Sequence, residues 1–173
     1  KFMTFLGECT KNEKFNRLAP RSIQNEKRYE GIELVSRFFA YSDNYDDGFP
    51  GYLGNVAQYI DKYIEKKNED WKQEREEKEY RFRFENMLDY AEILLGSRGF
   101  RKKEKSKSTP RARFEALSVG ISLALKEIPD LEVVNNTWVD EEEFSAITRS
   151  DAANNKSKLV KRIKFVKEKL LGD

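Results

Sequence analysis

Apolar residues recur at helical spacing along most of this chain. In "GIELVSRFFAYSD", Ile32, Val35, Phe38 and Phe39 fall at i, i+3, i+6 and i+7, with Glu33 and Arg37 one turn apart beside them. "GYLGNVAQYIDKYIEKK" sets Leu53, Val56, Ile60 and Ile64 on one face, flanked by Tyr59 and Tyr63. Over 71–95 the pattern predicts one long helix. Its first half, "KQEREEKE", is polar and points to solvent or to a partner, and Trp71 is expected to fold back on the body. Its second half turns amphipathic at Tyr80, Phe84, Met87, Leu88, Ala91 and Leu95.

The punctuation between these runs predicts further helices. Thr109 followed by Pro110 reads as an N-cap and a first-turn proline, opening a helix with Phe114, Leu117, Ile121 and Leu125. Gly120 inside it is expected to permit a close helix crossing. Asp140 and Glu143 have capping-box spacing ahead of Phe144 and Ile147, and Leu159, Ile163, Val166 and Leu170 stripe a last helix that stops at Gly172. Only "LEVVNNTWV" has strand character. The expected fold is all-α, an irregular bundle of about six or seven helices with one long helix near 70–95. Loops fall near 42–50, 97–109 and 130–139, and no internal repeat is evident.

Length and composition narrow this. The chain's 173 residues suit a helical domain over 1–130 and a C-terminal helical appendage over 131–173 packed on it. With 12 Phe, 8 Tyr and 2 Trp, the core must be rich in aromatics. Lys+Arg 33 against Asp+Glu 31 leaves a net charge of +2, so any electrostatic function has to be local. The single Cys9 excludes an internal disulfide and fits a reducing, cytoplasmic setting. No apolar run approaches the roughly 20 residues that span a bilayer, and no signal-peptide pattern opens the chain, so no membrane partner is expected. Starting at Lys1 and running straight into "FMTFL", the sequence reads as part of a longer protein.

Most catalytic chemistry is missing. With no His in the chain, Ser-His-Asp and Cys-His nucleophile systems and His-containing zinc sites are excluded. Asp43, Asp47 and Gly48 occupy positions 1, 5 and 6 of a calcium loop, but Tyr45 at position 3 and Gly54 in place of the bidentate Glu make it an ordinary acidic turn. Pro129-Asp130 opens a loop with no nuclease motif behind it, and no glycine-rich phosphate loop exists. No cofactor is expected. Glu33 and Arg37 read as an intrahelical pair.

What remains is charge geometry. Arg98, Arg101, Lys102, Lys103, Lys105, Lys107, Arg111 and Arg113 gather in and beside one loop, opposed internally only by Glu104. The cluster reads either as a nucleic-acid surface that neutralises phosphates or as a solvated link, with Phe100 and Phe114 stacking on bases or anchoring the loop ends. A second cluster, Lys156, Lys158, Lys161, Arg162, Lys164, Lys167 and Lys169, lies on the last helix. Adjacency of the two in space would favour the nucleic-acid reading.

The runs "FLGECTKNEKFNRL", "RYEGIELVSRFFAYSDNYDDGFPGYLGNVAQYIDKYI", "ILLGSRGFRKK" and "RFEALSVGISLAL" together resemble the helical C-terminal part of the GmrSD-like family over about 2–125. That family comprises bacterial proteins with an N-terminal ParB/sulfiredoxin-like nucleotidase domain, associated with modification-dependent restriction and phage defence. Its Asp-Gly-Gln-Gln-Arg signature belongs to the upstream domain and does not occur here, and its HNH-type nuclease module needs histidines. The resemblance therefore implies no catalytic residue in this chain. Glu33, Arg37, Phe38, Phe100 and Arg101 match family positions and are read as structural, with Arg101 also in reach of a phosphate. The implied role is a non-catalytic helical domain that supports the upstream nucleotidase domain of the same protein and contacts DNA. The alternative is a protein-interaction or homo-oligomerisation module with an inert basic loop.

Overall fold

The computed structural model describes residues 1–26, 29–71, 73–133, 135–149 and 154–172. Through its middle runs α7 (Arg111–Glu127), in which every residue from Ala112 to Leu125 is buried. A helix can be covered on all sides only if its own surface permits close neighbours. Ala116, Gly120 and Ala124 keep α7 thin, while Phe114, Leu117, Ile121 and Leu123 supply apolar area on several faces. Around it pack α4 (Glu30–Asn44), α6 (Gln73–Leu95) and α9 (Lys156–Leu171). The crossing with α9 is the close one expected at Gly120: a Cβ there would lie 2.6 Å from Val166 Cβ.

The remaining helices complete one aromatic core. Helix α1 (Phe2–Cys9) and α5 (Val56–Asp70) pack on α4 and on each other, α2 (Glu13–Leu18) packs on α6, and the short α3 (Ile23–Glu26) precedes α4. Phe2 is fully buried, with ring centroids 4.8 Å from Trp71 and 5.9 Å from Tyr80, so Trp71 does fold back on the body. Helix α8 (Glu142–Ile147) packs with α9, and Trp138, Phe144, Ile163 and Val166 belong to the same core as the N-terminal residues. Six helices of seven or more residues thus form an all-α bundle among the described residues, and α6 is the long one. None is long and apolar enough to cross a membrane.

Several local expectations give way to tertiary contacts. Pro110, not Thr109, is the N-cap of α7, because the Thr109 hydroxyl donates instead to the Pro20 carbonyl at 3.1 Å. Asp140 makes no cap for α8, whose N-cap is Glu141, because its carboxylate is taken by Arg98. Leu53 is 90% exposed rather than on the α5 face, since Asn55 starts that helix by accepting from the Gln58 N–H at 3.1 Å. Lys72 of the polar stretch and Val134 of the strand-like stretch lie outside the described residues. On either side of Val134 no strand forms, and Thr137–Asp140 is a 3-10 turn.

Asp43 lies within α4, not in a turn, and is a half-buried acceptor that ties three helices together. Its carboxylate accepts from Tyr63 Oη at 2.6 Å, from Tyr80 Oη and from Arg83 Nη2 at 2.6 Å, with Lys67 at 3.6 Å. Burial works against this charge, yet Arg83, the two hydroxyls and Lys67 outweigh it and hold the pKa below its ordinary 3.8. The stability it contributes is therefore complete above that ordinary value and is lost as pH falls through the lower folded-state value. Asp43→Asn is expected to cost about 1–3 kcal/mol at pH 6, because it removes the charged partner of Arg83 and leaves a weaker acceptor for the two tyrosines. Urea melts should show the difference from the parent shrinking below pH 4; a difference constant down to pH 3 would refute the assignment.

Candidate anion-binding cleft

Each end of the basic loop is pinned by packing. Gly99 adopts φ +56° and ψ −142° against the Leu18 backbone, and the next N–H, of Phe100, donates to the Leu18 carbonyl at 2.8 Å. The Phe100 ring is fully buried, 4.8 Å from Phe114. Both phenylalanines thus anchor the loop and neither is presented to a base. At the far end Thr109 holds Pro20, and residues 101–108 lie at the surface between these anchors.

Between this loop, the start of α7 and the segment 139–149 lies a cleft of about 1160 Å³. The basic residues lining it are Arg37, Arg98, Lys102, Lys103, Arg111, Arg113 and Arg149, against the carboxylates of Glu104, Glu115 and Asp140. Part of this charge is already matched. Arg37 binds Glu115, Arg98 binds Asp140, Arg149 binds Glu142, and Arg111 lies 3.3 and 3.2 Å from Glu30 and Glu33. Among the described residues Lys102, Lys103 and Arg113 have no carboxylate partner, so the cleft keeps a positive excess.

Arg113 is the unusual member. It is 4% exposed and its guanidinium lies over the Phe144 ring, 5.0 Å from the centroid. Nη1 donates one long bond of 3.4 Å to the Val139 carbonyl, while Nε and Nη2, both shielded from water, have no partner. Burial, reinforced by Arg98 and only partly countered by Asp140, pushes its pKa down to about 10. The backbone beside it is equally unspent. Pro110 caps α7 without a side-chain hydrogen bond and no acidic residue stands in the first turn. The first-turn amides of this 17-residue helix therefore carry their partial positive charge into the cleft wall.

Not every residue of the expected cluster belongs here. Arg101 donates from Nε to the Arg98 carbonyl at 2.7 Å and from Nη2 to the Ser97 carbonyl, which ties up one edge of its guanidinium inside the loop. Lys105 and Lys107 are exposed but do not line the cleft. The Lys-rich face of α9 does not join it either, since no α9 residue lines it. Lys164 pairs with Glu168 at 3.3 Å, Lys167 with Glu127, and Lys156 donates to the Phe49 carbonyl at 3.4 Å. Arg162, placed by its neighbours in the surface cluster, is in fact 2% exposed and binds Glu115 inside the bundle. Conversely, the sequence pattern gave no sign of Arg149 or the 139–149 wall, which only the topology brings opposite the loop.

Cys9 is buried and burial pushes its thiol up to about 12, which keeps it protonated. Among the described residues no group of His, Cys, Asp and Glu is arranged to hold a metal ion. Set against family models, curated proteins and solved structures, the chain matches none.

Proposed function

We propose that this chain is a non-catalytic helical module of a prokaryotic restriction or phage-defence protein. In this reading it works in the cytoplasm, supports a nucleotidase domain upstream in the same protein, and engages DNA through phosphates at the basic cleft. The defence assignment rests on the resemblance carried by Glu33–Ala40 and by Gly99, Phe100 and Arg101. The DNA contact rests on one observation: a concave surface in which Lys102, Lys103 and Arg113 lack carboxylate partners and the α7 amides are uncapped. Phosphate oxygens are the acceptors such donors suit, and sequence-independent phosphate contact needs no base-reading groups.

Titration of duplex DNA at several salt concentrations tests this. About four phosphate contacts give a log–log slope near −3.6. Replacing Lys102 and Lys103 together by Ala should weaken binding and flatten the slope to about −1.8. Lys105→Ala with Lys107→Ala, outside the cleft, should leave the slope alone. An unchanged slope in the Lys102/Lys103 variant would move the DNA site elsewhere. The same titration separates the alternative, a protein-binding or self-associating module using Phe82 and Ile93, which are 69% and 71% exposed on one face of α6. That module leaves DNA unbound at every salt concentration.

A further inference from the structure

The lip and the floor of the cleft offer different chemistry. Lys102 and Lys103 are exposed at the lip, where any phosphate of a passing strand can meet them. Arg113, in the uncapped first turn of α7, is buried, and the cleft's volume of about 1160 Å³ is on the scale of a small-molecule pocket. A strand end or a single nucleotide carries a phosphate small enough to seat against these groups.

The floor also discriminates by charge. An internal phosphodiester brings one negative charge and two free oxygens. A terminal phosphate brings about −1.5 to −2 near neutral pH and three strong acceptors. Several uncapped N–H groups beside an arginine that is 96% buried with two unpartnered nitrogens form a set of donors that a diester leaves partly unused. Because Nε and Nη2 are shielded from water, seating an anion on them requires rotation about the long Arg113 side chain. Lengthening its 3.4 Å bond to Val139 gives up little.

We propose that the floor of this cleft is a seat for a phosphomonoester, the phosphorylated end of a DNA strand, held by the α7 first-turn amides and Arg113. The inference rests on the DNA reading above and names the part of the DNA that enters. Chemistry alone makes a free nucleotide a second source of the same group, and the test keeps the two apart.

The test compares short single-stranded oligonucleotides with phosphate or hydroxyl ends, and a nucleoside monophosphate against its nucleoside, by fluorescence anisotropy and competition. The phosphorylated oligonucleotide should bind about tenfold more tightly or better, the scale of one added charge-assisted hydrogen bond. That preference should fade between pH 7.5 and pH 5, as the ligand's second proton is taken up near pH 6. With no His in the chain, no side chain of ordinary pKa titrates there, so the pH profile reports the ligand. Arg113→Gln should bring the preference towards unity, Arg113→Lys should retain part of it, and Lys105→Ala should leave it intact. The pH profile of the unaltered protein decides the matter even where Arg113→Gln fails to fold. Equal binding of phosphate and hydroxyl ends, or a preference flat across that pH range, overturns the terminal-phosphate seat and leaves the DNA reading standing. Binding of the nucleoside monophosphate with no binding of either oligonucleotide overturns the DNA reading and keeps the seat. No binding of any ligand overturns both.

Discussion

Glu115→Gln is expected to lower stability by about 3–5 kcal/mol and Tm by roughly 10 °C, although it changes neither the volume nor the shape of the side chain. Glu115 is 1% exposed on the central helix, and its two oxygens take different partners. Oε1 accepts from Arg37 of α4 and Oε2 from Arg162 of α9, so one carboxylate joins three helices. Burial opposes the Arg37 charge, but Glu115, with Tyr41 and Glu33 behind it, outweighs that penalty and raises the pKa above its ordinary value. An amide offers one weak acceptor in place of a carboxylate shared by two guanidiniums, so the buried Arg162 loses that charge while Arg37 keeps Glu33 at 2.6 Å. The loss comes from removing the shared negative charge from a buried cluster, not from any large net gain in the intact cluster. It follows that replacing all three residues by Met or Leu should recover most of the loss, since well-packed apolar substitutes for a buried ion cluster are often neutral or better. Thermal melts of the single and triple variants decide this. A Glu115→Gln variant melting within 2 °C of the parent would show that the cluster is not holding the helices.

That cluster also marks where reading by pattern stops. Helices α4, α6, α7 and α9 were legible because Phe38, Phe84, Leu117 and Ile163 sit on stripes of helical period, and each is buried as the period requires. Glu115 was not, and Arg113 was legible only as a member of the basic cluster and not as a buried side chain, because a charged residue in the first turns of a helix looks like solvated surface until its neighbours arrive. For Glu115 these come from 78 and 47 positions away in the chain. Arg162 did carry a signal. It stands at the i+3 position from Leu159 and one turn before Val166, so register placed it beside the apolar stripe while the surrounding lysines suggested surface. Register was the better guide, because a helix face is buried as a unit and composition is not.

The cleft divides along the same line. Its lip was visible as a charge run, since Lys102 and Lys103 need no partner to be noticed. Its floor and far wall depend on α7 threading the centre and on 139–149 returning opposite the loop, which is topology. The Thr109 cap failed for a related reason. Capping preference is worth about 1 kcal/mol, and a hydroxyl that reaches a carbonyl from another part of the chain is spent there instead.

Gly99→Ala should be the most damaging single-atom addition in the chain's basic loop, costing about 4 kcal/mol or more and disabling the cleft while the bundle still folds at low temperature. Two independent constraints meet at this residue. Its φ of +56° with ψ of −142° lies in territory that side chains enter only with strain of about 1–3 kcal/mol. A Cβ would also lie 2.3 Å from the Leu18 carbonyl oxygen and 2.7 Å from the Leu18 Cα, both backbone atoms that no rotamer change can move aside. The loop must then lift off α2, breaking the 2.8 Å bond from the Phe100 N–H to Leu18 and drawing the fully buried Phe100 ring away from Phe114. Partial exposure of that ring adds about 2 kcal/mol. Lys102 and Lys103, directly downstream, leave the cleft lip with it, so DNA affinity should fall even at temperatures where the helical signal is intact. Gly96→Ala is the matched comparison. It too has positive φ, +58°, but a Cβ there meets nothing within 4 Å, and the expected cost is only about 1 kcal/mol. Melting and DNA titration of the two variants side by side separate conformational strain from collision. Equal losses in both would mean that the Leu18 backbone can yield, and that the loop is not anchored where the packing places it.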